Sequence, residues 1–106
     1  MIANAKVSQR LEGFVAKVQA ETLAYYAKKF PTLIPSIIEV EEGSKFYRIV
    51  KAERGTRSVH SFVSKANGDI FKAAGWKAPA KHVRGNIFAA DYGWSSMNVY
   101  GAKYLR

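Results

Sequence analysis

The chain has 106 residues, no cysteine, and 17 Lys/Arg against 8 Asp/Glu, a formal net charge of +9 at pH 7. That length accommodates one domain, and the lack of cysteine excludes disulfide frameworks, thiolate zinc sites and cysteine nucleophiles together. No apolar run approaches the ~20 residues of a membrane span, and the opening MIANAKVSQRLEGFVAKV is broken by charges too often for a signal peptide, so the expectation is an intracellular protein with no membrane partner.

Residues 4–29 read as one amphipathic helix. Val7, Leu11, Phe14, Val18, Thr22 and Tyr25 recur at spacings of three and four, which places them on one stripe. Lys6, Arg10, Lys17, Glu21 and Lys28 fall largely outside it. Asn4 is a candidate N-cap, and Lys28 with Lys29 suits the negative end of the helix dipole. Gly13 opposes the helix by about 1 kcal/mol relative to alanine. Pro31 stops it, because the residue before a proline is driven out of the α region.

After the extended connector Phe30–Pro35 come four strand-like runs with turn signals between them. Ile37–Glu42 ends at Gly43-Ser44, Lys45–Glu53 at Arg54-Gly55, Arg57–Lys65 at Asn67-Gly68 and Asp69–Ala74 at Gly75. Asn-Gly is the strongest short hairpin signal, since both residues tolerate the positive φ of a type I′ turn. Links this short leave no room for parallel crossovers and predict an antiparallel meander. Strict alternation places Lys45, Tyr47, Ile49 and Lys51 on one face of the second strand and Phe46, Arg48, Val50 and Ala52 on the other. In the third it opposes Arg57, Val59, Ser61 and Val63 to Ser58, His60 and Phe62. Neither face comes out cleanly apolar, as a sheet with one dry side should.

Ala78-Pro79 opens a candidate short helix running to Arg84, with Pro79 at its first position and Gly85 just past its end. The tail 86–106 is rich in Gly, Ser and aromatics (Phe88, Tyr92, Trp94, Tyr100, Tyr104) and is expected to pack irregularly on the sheet or on a partner.

The charge is concentrated. Residues 1–44 balance five basic against five acidic groups, whereas 45–84 carry ten Lys/Arg against Glu53 and Asp69. A positive field of this density attracts phosphate backbones, and release of condensed counterions drives the binding. Binding a flexible strand also needs flat rings on which bases stack. Arg48, Lys51, Arg54, Arg57, Lys72, Lys77, Lys81 and Arg84 supply cations, and Tyr47, Phe62 and Trp76 supply rings, although a phenylalanine such as Phe62 more often belongs to the core. Pairing across Arg54-Gly55 gathers Lys51, Arg54 and Arg57 at one end of the sheet.

Enzymatic chemistry is poorly provided for. His60 and His82 lie on different elements, and neither has a carboxylate pair at metal-ligand spacing. Glu39, Glu41 and Glu42 read as a solvated strand edge or as partners for nearby lysines. No Gly-x-Ser-x-Gly, Walker or dinucleotide fingerprint occurs. No cofactor, metal or small-molecule substrate is expected.

The stretch GDIFKAAGWKAPAKHVRGNIF (Gly68 to Phe88), preceded by KFYRIVKAERGTRSVHSFV (Lys45 to Val63) and closed by VYGAKYLR (Val99 to Arg106), resembles a group of small phage-encoded proteins. The resemblance covers about the last 60 residues. It implies a viral source and action in the cytoplasm of an infected host cell, and it brings no catalytic residues. In architecture alone, a curved four-stranded meander with a helix is similar to the single-stranded-DNA-binding Whirly and coactivator-type domains, although here the long helix precedes the strands.

The resulting expectation is an α+β fold: an N-terminal amphipathic helix on a four-stranded antiparallel β-meander, a short second helix and an irregular C-terminal tail. It would act, as a homodimer or higher homo-oligomer, by binding single-stranded nucleic acid, DNA before RNA, with little sequence preference and no turnover. The alternative is a protein-interaction or virion-associated component that meets an acidic host or phage protein.

Overall fold

Val7, Leu11, Phe14, Val18 and Thr22 are all buried along α1 (Ala5–Lys29). The last turn departs from the expected stripe: Tyr26, not Tyr25, turns inward, and its hydroxyl binds Ser36 and Glu53. The computed structural model describes residues 5–98 and 101–102; Asn4, Tyr100 and Tyr104 lie outside them. Among the described residues no helix is long and apolar enough to cross a membrane.

The strands are β1 (Ile37–Glu42), β2 (Phe46–Glu53), β3 (Thr56–Ser64), β4 (Asp69–Phe71) and β5 (Gly85–Asn86), in one antiparallel sheet whose spatial order follows the chain. The sheet therefore has five strands where the sequence predicts four. Gly85-Asn86 carries no strand signal of its own and is recruited by pairing with Asp69 and Ile70. A second, two-stranded sheet joins β6 (Met97–Asn98) to β7 (Gly101–Ala102).

The type I′ geometry also falls at a different place. Arg54 and Gly55 both take positive φ, 46° and 83°, and close the two-residue β2–β3 hairpin. The β3–β4 link is a wider turn, closed by the Gly68 amide on the Ser64 carbonyl, in which only Gly68 has positive φ.

Helix α1 covers one sheet face. Ile38, Tyr47, Ile49, Val63 and Ile70 meet Val7, Leu11, Phe14 and Val18 there, with Ile87 and Met97 closing the cluster. A bulge explains why simple alternation failed to find this dry face. Ile49 pairs with Ser61 but Val50 with Val59, so His60 is the extra residue. The bulge turns both His60 and Ser61 toward α1, and the His60 ring lies edge-on to Phe14 at 6.3 Å. Val59 thereby joins Phe62 on the opposite face instead of Ser61 and Val63.

The candidate second helix does not form. Residues 72–84 make a distorted hairpin that extends β4 and β5. Ala80 N–H donates to Lys72 O at 2.7 Å, Ala74 N–H to Ala78 O at 3.0 Å and Arg84 N–H to Ile70 O at 2.8 Å, and Ala73 bridges Pro79. Seven residues without an apolar stripe cannot repay helix nucleation, whereas the hairpin satisfies the same backbone groups against β4.

Candidate nucleic-acid interface

The sheet face turned away from α1 carries Arg48, Arg57, Val50 and a ring cluster of Phe46, Phe62 and Phe71, with centroids 5.7–6.2 Å apart around Phe46. The 72–84 hairpin folds back over this face. At its tip Arg48 Nε donates to the Trp76 carbonyl at 2.8 Å. The guanidinium carbons of Arg48 and Arg57 lie 4.8 and 5.5 Å from the indole ring, within cation–π range. Trp76 is thus pinned by two arginines yet remains 39% exposed.

Both arginines are also tied to carboxylates. Arg57 reaches across β2 to Glu39 at 3.0 Å and Glu41 at 2.7 Å, and Arg48 binds Glu41 at 2.7 Å. Arg57, with Arg48 second, holds the Glu41 carboxyl below its usual range. Two cations and two anions form a network of zero net charge, so this pair contributes geometry to the face more than field. Glu39 and Glu41 therefore serve arginines, and Glu42 meets a lysine, Lys65 at 2.6 Å.

The hairpin is the more strongly charged element. Residues 72–84 contain Lys72, Lys77, Lys81 and Arg84 and no carboxylate, and Lys77 and Lys81 are exposed. Lys77 also borders a groove of about 330 Å³ with Lys45, Phe46, Arg48 and Phe62, whose acidic rim is Glu41 and Glu42. Lys45 and Phe46 were not chosen from the sequence. The available signal was that Phe46 shares the Arg48 face of β2.

Two expectations need correction. Tyr47 is only 7% exposed and gives its ring to the core beneath α1, so it offers no face for a base. The expected gathering of Lys51, Arg54 and Arg57 is split by the sheet. Lys51 and Arg54 border a basin of about 380 Å³ with Glu53, Thr56 and Ser58, whereas Arg57 lies under Trp76. Of the predicted residues, Arg48, Arg57, Trp76 and Lys77 come together, and Lys72, Lys81 and Arg84 follow on the same hairpin.

Two further polar groups anchor the scaffold. Glu53 Oε1 accepts from Tyr26 at 2.5 Å and Ser36 at 2.6 Å, and these bonds, Ser36 foremost, lower its pKa from 4.5 to about 2. His60 is buried, and desolvation lowers its pKa to about 4. The Asn98 carbonyl 2.8 Å from Nε2 can only accept, so Nε2 carries the proton and Nδ1 accepts from the Ser61 hydroxyl at 2.9 Å. Neither group lies in the Trp76 region. Among the described residues no three His, Asp or Glu side chains cluster as a metal site.

No curated protein and no solved structure matches the chain. A family model does, over residues 3–102, which takes in the helix, the sheet and the Trp76 hairpin alike. The chain belongs to this family, described as a family of unknown function, DUF7717.

Proposed function

We propose that this protein binds single-stranded nucleic acid along the 72–84 hairpin, with Trp76 as the stacking platform and the hairpin lysines on the phosphates. The observation that carries the reading is Trp76 itself. An indole held from beneath by Arg48 and Arg57, and still 39% exposed at the tip of a carboxylate-free basic hairpin, is costly to leave in water and well placed to receive a base. Stacking is worth about 1–3 kcal/mol per base and tolerates any sequence, and each lysine on a phosphate adds salt-dependent affinity. The groove beside Lys45 and Lys77 continues the path for a neighbouring nucleotide.

DNA is the first ligand and RNA the comparison, and the protein acts by binding without turnover. The resemblance to phage-encoded proteins supports a setting in the cytoplasm of an infected host cell.

Fluorescence anisotropy of a labelled oligothymidylate, titrated at two salt concentrations, tests the reading. Binding should weaken steeply as salt rises. Joint replacement of Lys72, Lys77 and Lys81 by Glu should abolish it, while Lys6→Glu and Lys17→Glu on α1 should leave it nearly intact. Absence of binding at low salt, or equal losses from both sets, refutes the proposal.

A further inference from the structure

The groove beside Trp76 is built differently from the hairpin that leads to it. It encloses about 330 Å³, at the small end of ligand sites, which suits one nucleobase and not a length of strand. Phe46 is half-buried and stands edge-on to Phe62 at 6.2 Å, so one side of the groove is an aromatic wall. Lys45 and Lys77, both exposed, border it from different elements. Arg48 belongs to both places. It lines the groove, its Nε holds the Trp76 carbonyl, and its Cζ lies 4.8 Å from the indole centroid.

Arg48 is a fixed donor there. A guanidinium carries five N–H groups in a rigid fork. Nε is taken by Trp76 at 2.8 Å and one N–H of Nη1 by Glu41 at 2.7 Å. Among the described residues Nη2 makes no hydrogen bond. The end of the fork, Nη2 with the second N–H of Nη1, remains to donate, and the two bonds already made hold its plane. The carboxylates at the rim are engaged. Both Glu41 oxygens accept from arginines, and Glu42 accepts from Lys65, whose ammonium lies over the Tyr47 ring on the α1 side. The groove therefore offers paired donors beside an aromatic wall.

We infer that this groove selects guanine for the nucleotide next to the one stacked on Trp76, an inference that rests on the nucleic-acid reading above. Guanine presents two neighbouring acceptors, O6 and N7, and an arginine fork donates to both at once. The splayed bases of a single strand expose that edge. Adenine sets an amino donor beside N7, and thymine a lone O4 beside a methyl group, so each leaves one Arg48 donor unanswered. Cytosine has the acceptors O2 and N3 on its pairing edge, but its single ring covers less of Phe46. Lys45 and Lys77 are left for the flanking phosphates.

The test is fluorescence anisotropy at low salt with labelled oligothymidylates, unmodified or carrying one central guanine, adenine, hypoxanthine or 7-deazaguanine. Guanine should bind about fivefold to a hundredfold tighter than adenine, the range for one bidentate contact between bases of equal stacking area. Hypoxanthine keeps O6 and N7 and should retain the gain, whereas 7-deazaguanine lacks N7 and should lose most of it. Arg48→Lys keeps the charge without the fork and should bring the guanine-to-adenine ratio close to one, whatever it does to affinity as a whole. If that variant fails to fold, the base series alone decides. Equal affinity for guanine and adenine overturns the inference. So does a gain that survives the loss of N7 or vanishes with hypoxanthine, which would place recognition on the 2-amino group, and so does a folded Arg48→Lys that still prefers guanine. In each of those outcomes oligothymidylate still binds and the wider reading stands; binding of none of the oligonucleotides refutes both.

Discussion

Gly13→Ala reverses the usual sign of a helix substitution. In an exposed helix interior alanine gains about 1 kcal/mol over glycine, and Gly13 sits mid-way along α1. A Cβ at this position, however, would lie 2.1 Å from Tyr92 Cε1 and 2.7 Å from its hydroxyl oxygen. The ring cannot swing away freely. Its face stacks on the Arg10 guanidinium at 3.9 Å, and it is packed against the core cluster. Displacement costs about 1–3 kcal/mol by overpacking and about 0.5–1 kcal/mol of cation–π contact. Set against the helix gain, the net is a destabilisation of about 0.5–3 kcal/mol. Urea denaturation followed by circular dichroism reads this as a lower midpoint at constant slope. In a Tyr92→Ala background the clash is absent, and the same substitution should stabilise by about 1 kcal/mol. A Gly13→Ala protein more stable than wild type, with Tyr92 in place, would refute the reasoning.

Other consequences follow from the scaffold's polar contacts. Arg10→Ala removes bonds to the Ile87 and Ala89 carbonyls at 2.8 and 2.6 Å together with the Tyr92 stack, and should cost about 2–3 kcal/mol in the same denaturation assay. His60 has a folded-state pKa of about 4 against 6.5 unfolded. Between those values only the unfolded chain takes up the proton, so stability should fall as pH drops from 6.5 to 4 and level below; His60→Gln should flatten that slope. Glu53, lowered to about 2 from 4.5, contributes stability that is complete above pH 4.5 and is lost as pH falls toward 2. Tyr26→Phe should therefore cost about 1–2 kcal/mol at pH 7 and less at pH 2.5, measured by urea midpoints.

The elements that the sequence made legible are those whose signal is local. The spacing of Val7, Leu11, Phe14, Val18 and Thr22 placed α1 within a residue at its start, and the Pro31 stop held. The Gly43, Gly55 and Gly68 turns set the first three strands within one residue of their bounds, and Asp69–Phe71 is the predicted fourth, cut short. What stayed hidden depends on contacts distant in the chain. Gly13 reads as a flaw until Tyr92, 79 residues on, is seen against it. The bulge at His60 shifts the phase of β3, and no composition rule announces it. Residues 78–84 look like a short helix because Pro79 suits its first position and Gly85 its end, but pairing with β4 decides their state. At the candidate site the sequence found the cations and Trp76 by composition. It could not show that Glu39 and Glu41 reach across to neutralise Arg57 and Arg48, or that Tyr47 turns inward beneath α1. Those facts require the register of β1 on β2 and the position of the helix.

The most direct test of the nucleic-acid reading uses Trp76 as its own reporter. The chain has two tryptophans, Trp76 and Trp94, so a Trp94→Phe protein isolates the indole that lies over Arg48 and Arg57. Titration with oligothymidylate should quench its fluorescence in step with binding, since a base stacks on the ring, and added salt should restore it. Emission that stays constant while anisotropy reports a bound oligonucleotide, or no response in either signal at low salt, would contradict the account.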